Sequence, residues 1–135
     1  MSSSSPQRPA AVCRQVHRED LLAKARRVCV LPPIDQPDEG SDQPWPLSRH
    51  LLKSLVDQAH LCPLPPTEAA VYWQYDYAMW LHPAPDVLIM ADRQAQFQCE
   101  YEETLGINPG SFSTSFAWMV YRPHTKEVEI SDFEG

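Results

Sequence analysis

The amino-acid sequence predicts an α/β protein in which helices come first and strands follow. Two stretches in the first half place apolar residues at helical spacing. Residues 87–91, "VLIMA", form an apolar run without alternation, which is typical of a strand buried on both faces. Residues 116–133 alternate around a turn and predict a closing β-hairpin. A sheet covered by helices accounts for all three observations.

Length and charge limit the classes of function. The chain of 135 residues suffices for one domain, and 43% of its residues are apolar. Its formal charge is −7, and residues 31–99 hold nine acidic but only three basic side chains. A nucleic-acid backbone attracts dense Lys and Arg, so only the basic helix near the start could contact DNA, and a solvated helix face explains its charges equally well. No apolar stretch approaches the roughly 20 residues that a membrane span needs, so no membrane partner is expected.

The first elements follow from local pattern. Residues 1–15 are predicted to be a disordered tail without a signal peptide. Residues 17–29 predict an amphipathic helix, in which Asp20 and Lys24 form an i,i+4 pair. Residues 31–47, rich in proline and acids, predict a mobile loop.

Two more helices are predicted before the buried strand. In the first, Ser48 is a candidate N-cap, and the prolines after Cys62 end the helix. The second is expected over residues 67–82, with Asp76 either paired internally or directed at a partner. Its aromatic side chains surround the helix and suit either a protein interface or core packing against a further half-domain: Tyr72, Trp73, Tyr75, Tyr77 and Trp80.

Residues 107–112, "INPGSF", contain a tight turn. Pro109 presets φ for the first central position of a type II turn, and Gly110 supplies the positive φ of the second. Asn108 precedes proline and must be extended. On these residues alone the turn Asn108-Pro109-Gly110 is structural.

A four-residue block, Ala91-Asp92-Arg93-Gln94, ends the buried strand. Asp92 could act as a general acid or base, but no nucleophile or metal ligand neighbours it, which favours a surface or salt-bridged aspartate. His60 is either a lone ligand or, more simply, an imidazole at a helix end. Ser111 and Ser113 lack the His and Asp partners of a nucleophile.

This block and the following "INPGS" resemble the C-terminal part of the calcineurin-like metallophosphoesterases. Active members carry Gly-His-x-His at the block, and those histidines bind a catalytic metal. Here Ala91-Asp92-Arg93-Gln94 replaces it, and arginine and glutamine side chains cannot donate the imidazole lone pair that the metal needs. The resemblance therefore implies a degenerate metal block, no metal or other cofactor, and no enzymatic activity.

Within that superfamily, the chain resembles the metal-free B subunits of replicative DNA polymerases, most closely the epsilon type. Four segments within residues 16–132 carry the likeness: "VHREDLLAKARRVCV", "HLLKSLVDQAHLCPLPP", "VYWQYDYAMWLHPAPDVLIMADRQAQF" and "INPGSFSTSFAWMVYRPHTKEVEIS". The resemblance implies that residues 16–135 form the C-terminal part of an inactive phosphoesterase-like α-β-β-α sandwich. It also implies a nuclear accessory subunit in DNA replication. An accessory protein of this kind binds the C-terminal region of the catalytic subunit of DNA polymerase epsilon and reaches DNA indirectly, through the complex.

Two other functions stay open. One is a divergent metallophosphoesterase with unusual ligands, and the other is a stand-alone protein-interaction module that shares only the fold.

Overall fold

The computed structural model of the chain describes residues 13–29 and 45–133. The elements, in chain order, are β1 (Arg14–His17), α1 (Leu21–Val28), α2 (Leu47–Asp57), a 3₁₀ helix (Trp73–Met79), β2 (Val87–Met90), β3 (Phe97–Tyr101), β4 (Thr104–Asn108), α3 (Phe112–Ser115), β5 (Trp118–Arg122) and β6 (Glu127–Ser131). The protein is a mixed α/β structure. Apart from the short β1 and α3, the helices precede the strands in the sequence.

Within residues 13–29 and 45–133, six strands form two sheets. The larger sheet has the order β1-β2-β4-β3; β2 is parallel to β1 and to β4, and β3 is antiparallel to β4. β5 and β6 form a separate antiparallel hairpin whose corner is the turn at residues 123–126. The buried strand and the closing hairpin are thus found where the sequence predicted them.

Helices α1 and α2 cover one face of the larger sheet. Leu52 and Leu55 of α2 are fully buried, and they join Leu21 of α1 and Leu88 and Met90 of β2 in one apolar cluster. The predicted apolar stripe of α2 is therefore the face that packs. Burial of each such leucine contributes roughly 1.5–3 kcal/mol.

The hairpin covers the opposite face of the same sheet. Val87, Leu105 and Ile107 pack against Met119 and Tyr121 of β5, together with Val128 of β6. The layers are helices, a four-stranded sheet and a two-stranded sheet, so strands rather than a helix cover this second face. As a result, all five residues of β4 are buried.

Several predicted boundaries need correction. Residues 14 and 15, assigned to the disordered tail, belong to β1 because they pair in parallel with Val87 and Leu88. Of the predicted tail and loop, residues 1–12 and 30–44 lie outside the described residues. α1 begins only at Leu21, because His17 belongs to β1 and residues 18–20 form the connection between the two elements.

The caps and the third helix also differ from prediction. Ser48 lies buried inside the first turn of α2, and Pro46 occupies the N-cap position instead. The helix expected over residues 67–82 is a 3₁₀ helix of seven residues, Trp73–Met79. It ends early because Trp80 forms a β-bridge with His60 and Leu81 donates its N–H to the Ala59 carbonyl at 2.8 Å, which holds this backbone extended.

Asp86 fixes the amino ends of the strands. Its carboxylate accepts the Cys13 N–H at 2.8 Å and lies 3.4 Å from the Lys126 ammonium of the hairpin turn. Three segments distant in sequence are thereby tied together at this edge of the sheet.

Gly106 provides a test of how α2 is seated on the sheet. A Cβ atom added there would lie 2.8 Å from Leu52 Cδ2 and 3.2 Å from Met90 Cε. We expect Gly106→Ala to lower the free energy of unfolding by about 1–3 kcal/mol, because the added methyl collides with the fully buried side chain of Leu52.

The double variant Gly106→Ala/Leu52→Val removes the colliding methyl and should lose less stability than the two single variants summed. Urea unfolding of all four proteins measures this coupling. Strictly additive losses would show that the helix does not rest on Gly106.

Candidate functional site

The carboxyl ends of three parallel strands lie side by side at one edge of the larger sheet. β1, β2 and β4 run in the same direction, so the residues that follow His17, Met90 and Asn108 meet there. They enclose a cavity of about 660 Å³, called here the strand-end cavity. Its lining consists of residues 18–20, 24 and 27 after β1, residues 91–93 after β2, and residues 110–113 after β4. Because parallel sheets bind ligands outside the carboxyl ends of their strands, this edge is the candidate site.

The block that ends β2 lies at this cavity. Ala91, Asp92 and Arg93 line it, whereas Gln94 lines an adjoining cavity of about 530 Å³. The Ala91 N–H donates to the His17 carbonyl at 2.8 Å, which holds the end of β2 beside the end of β1.

Asp92 forms a buried pair with a second acid. It is only 5% exposed, and its Oδ2 accepts the Leu22 N–H at 3.3 Å. Burial raises the pKa of Asp92, and the neighbouring carboxyl group of Asp20 raises that pKa further. A second acid close by disfavours the charged form of a carboxyl group, because like charges repel.

The expectation of a surface or salt-bridged Asp92 is therefore wrong. The chain folds so that its neighbour is another acid, 72 positions earlier in the sequence. The expected Asp20–Lys24 pair is replaced by an ion pair between Lys24 and Glu19. One signal could have pointed to Asp20: an acid placed directly before a helical run occupies the N-cap position.

Four basic side chains surround the cavity, and two of them are already paired. Lys24 is bound by Glu19, and Arg27 lies 3.6 Å from the carboxylate of Glu68. Arg18 and Arg93 are exposed and have no ion-pair partner among the described residues. In the same part of the chain, no three His, Cys, Asp or Glu side chains converge to hold a metal ion.

The turn after β4 brings hydroxyl groups to the cavity. Gly110 has a φ of +79°, the positive value expected of it, and donates its N–H to Asn108 Oδ1 at 2.9 Å. Asn108 is extended, fully buried and part of β4. The turn leads into α3 and thereby places Ser111 and Ser113 in the cavity wall.

A second candidate site is the aromatic segment, defined as residues 72–80. Its five Tyr and Trp side chains are between 56% and 77% exposed, so none belongs to the core of the described residues. A cluster of exposed aromatic side chains is typical of a protein interface whose partner is absent.

Asp76 holds this segment in place. Its carboxylate accepts the Trp80 Nε1–H at 3.0 Å and lies 3.2 Å from His60 Nε2. The Trp80 hydrogen bond is the larger cause of a lowered Asp76 pKa, and His60 adds to it. His60 Nδ1 accepts the Cys62 N–H at 3.0 Å, so the proton of a neutral imidazole is on Nε2, facing Asp76. Of the two alternatives for Asp76, internal pairing is the one observed.

The outer face of the hairpin exposes two large apolar side chains. Trp118 and Val120 point away from the sheet that Met119 and Tyr121 cover, beside the ion pair of Arg122 and Glu129. No helix within residues 13–29 and 45–133 is both long and apolar enough to cross a bilayer.

Comparisons with known proteins agree on one family. The family described as the B subunit of DNA polymerase alpha/epsilon matches residues 16–99. The B subunit of DNA polymerase epsilon from Arabidopsis thaliana is 40% identical over 114 residues, which are 84% of this chain and 20% of that protein. DNA polymerase epsilon subunit 2 is 40% identical in Homo sapiens, over 89% of this chain and 21% of the relative, and 36% identical in Drosophila melanogaster, over 87% and 21%. The chain spans about a fifth of the length of these relatives.

The carboxyl pair predicts an unusual dependence of stability on pH. Because the native state holds the Asp92 proton more tightly than the unfolded chain, the free energy of unfolding should fall as pH rises from about 4 through the raised pKa. Asp92→Asn should abolish this loss, because an amide does not titrate in this range, and its carbonyl oxygen can still accept from the Leu22 N–H. Asp92→Ala leaves the Leu22 N–H unpaired and should cost about 1–3 kcal/mol.

Urea unfolding between pH 4 and 8 measures these effects. The difference between wild type and Asp92→Asn isolates Asp92, because His17, whose pKa is lowered by burial, is present in both proteins. Asp86→Asn is the control of opposite sign: the Cys13 N–H first, and Lys126 second, lower the pKa of Asp86, so its contribution is lost as pH falls. Parallel curves for wild type and Asp92→Asn would show that folding does not raise the pKa of Asp92.

Proposed function

The chain belongs to the DNA polymerase alpha/epsilon B-subunit family, and we propose that it is the C-terminal portion of a non-catalytic accessory subunit of DNA polymerase epsilon. The observation that carries this proposal is identity of 36–40% to named accessory subunits of the epsilon polymerase over most of the chain. In this role the protein acts in chromosomal DNA replication in the nucleus. It binds the C-terminal region of the catalytic subunit and serves as its scaffold.

The strand-end cavity supports a role without catalysis. The block Ala91-Asp92-Arg93-Gln94 contains no imidazole, and its aspartate is turned inward to Asp20. Arg93 adds positive charge where a divalent ion would have to lie. A two-metal phosphoesterase requires ligands that hold its ions about 4 Å apart, and these side chains do not supply them.

We propose that the fold is part of a calcineurin-like α-β-β-α sandwich. The layering of helices, a four-stranded sheet and a two-stranded sheet corresponds to three of its layers. The exposed outer face of the hairpin is where a second helical layer would pack.

The aromatic segment is the proposed contact with the catalytic subunit. Tyr and Trp dominate interface energies when they enter desolvated pockets. Its hydrogen bonds through Asp76 and the β-bridge at Trp80 fix the backbone before binding, which lowers the entropy that docking costs.

DNA is reached through the complex, because the chain is acidic beyond residue 30.

Substitution in the aromatic segment tests the contact. We expect Trp73→Ala/Tyr75→Ala to weaken binding to the C-terminal region of the catalytic subunit by tenfold or more, since buried aromatic anchors are each worth about 2 kcal/mol. Pull-down and calorimetry measure it. Val16→Ala, an exposed apolar side chain on β1, is the matched control.

Unchanged binding by the double variant would remove the aromatic segment from the interface. If the unsubstituted, folded protein does not bind the catalytic subunit at all, the accessory role itself is wrong.

A phosphodiesterase assay tests the absence of catalysis. With Mn²⁺ and bis(p-nitrophenyl) phosphate, hydrolysis should equal that of buffer, because the cavity presents arginines and no imidazole ligand to the ion. Turnover that a chelator stops and Asp92→Ala abolishes would establish the divergent metallophosphoesterase instead.

A further inference from the structure

The strand-end cavity continues into the adjoining one. The two cavities, of about 660 and 530 Å³, share Arg93, Ser111 and Ser113 in their walls. The two adjacent cavities, which meet at these three residues, are together called here the strand-end groove, and the end of β2 and α3 contribute to its lining. Its combined volume exceeds what a single small ion would occupy.

The charge of the groove is opposite to that of the whole protein. Arg18 and Arg93 lack an ion-pair partner among the described residues, in a chain whose formal charge is −7. Glu19 is bound to Lys24, and Asp20 and Asp92 form no ion pair with either arginine. The four basic side chains of the cavity lining outnumber its three acids. A guanidinium group binds a carboxylate through two parallel hydrogen bonds, so both arginines are available to acidic side chains.

Hydroxyl groups form the remaining wall. Ser111 Oγ lies 3.2 Å from Ser113 Oγ and 3.0 Å from Thr114 Oγ1, and the two serines face both parts of the groove. A hydroxyl group donates and accepts hydrogen bonds. The groove therefore offers cations, donors and acceptors side by side.

We propose that the strand-end groove binds an acidic peptide segment of a partner protein, whose carboxylates pair with Arg18 and Arg93. The main-chain N–H and C=O groups of such a segment match the hydroxyl wall along α3. The inference is independent of the aromatic contact and of the accessory role proposed above.

A peptide fits this groove better than a nucleic-acid strand does. A phosphate backbone carries a charge at every nucleotide and would extend beyond the two arginines over a surface rich in acids. It also presents only acceptors along its phosphates, whereas Glu19 and the serine oxygens can accept hydrogen bonds from peptide N–H groups.

The test uses the 135-residue chain and three fluorescein-labelled probes at 50 mM NaCl: octaglutamate, octaglutamine and an eight-nucleotide oligothymidine. We expect fluorescence anisotropy to show saturable octaglutamate binding below about 1 mM and none of octaglutamine. Arg18→Gln and Arg93→Gln should each weaken it about fivefold, and the double variant about twentyfold.

Arg14→Gln is the matched control, because Arg14 is exposed at the opposite end of β1. It should bind octaglutamate as the wild type does, and circular dichroism should show that all variants are folded. The proposal is overturned by three results: no saturable binding of octaglutamate, an equal loss in Arg14→Gln, or tighter oligothymidine binding that Arg18→Gln and Arg93→Gln weaken. The last result would identify a nucleic-acid groove.

Discussion

The burial of β4 on both faces is the constraint on which the rest of the structure depends. Leu52 of α2 rests on Gly106, a position without a side chain, and the hairpin closes over Leu105 and Ile107 from the other side. Because β4 is fixed between two layers, β2, which pairs with it in parallel, is fixed beside it. The turn at Pro109 and the block after Met90 therefore reach the same edge of the sheet.

The sequence predicted those elements whose signal lies within a few neighbouring residues. The apolar run of β2, the stripe of α2 and the alternation of the hairpin were found as expected. β1 was missed because "RQVH" is short and largely polar, and β3 because the alternation in "FQCEY" extends over only five residues. β1 becomes a strand by pairing with residues 73 positions later, and no local pattern encodes that.

The same distinction between local and tertiary signals applies to the candidate site. Its location at the end of β2, and the positive φ of Gly110, follow from local residues. The partners do not: Asp92 meets Asp20, and Asp76 meets His60, only through the tertiary fold. The same limit explains the aromatic segment, whose five rings suited a core or a surface equally well in sequence and are exposed in the structure.

One wall of the strand-end cavity belongs to a segment that joins the sheet only at its margin. β1 pairs with β2 alone, and Leu21 is the one residue of α1 in the buried core. If this segment detached from the sheet, the pocket would be lost. The other three strands of that sheet, α2 and the hairpin could stay folded. Ligand binding in the pocket is thus thermodynamically linked to the pairing of β1 with β2. Each of these two equilibria favours the other.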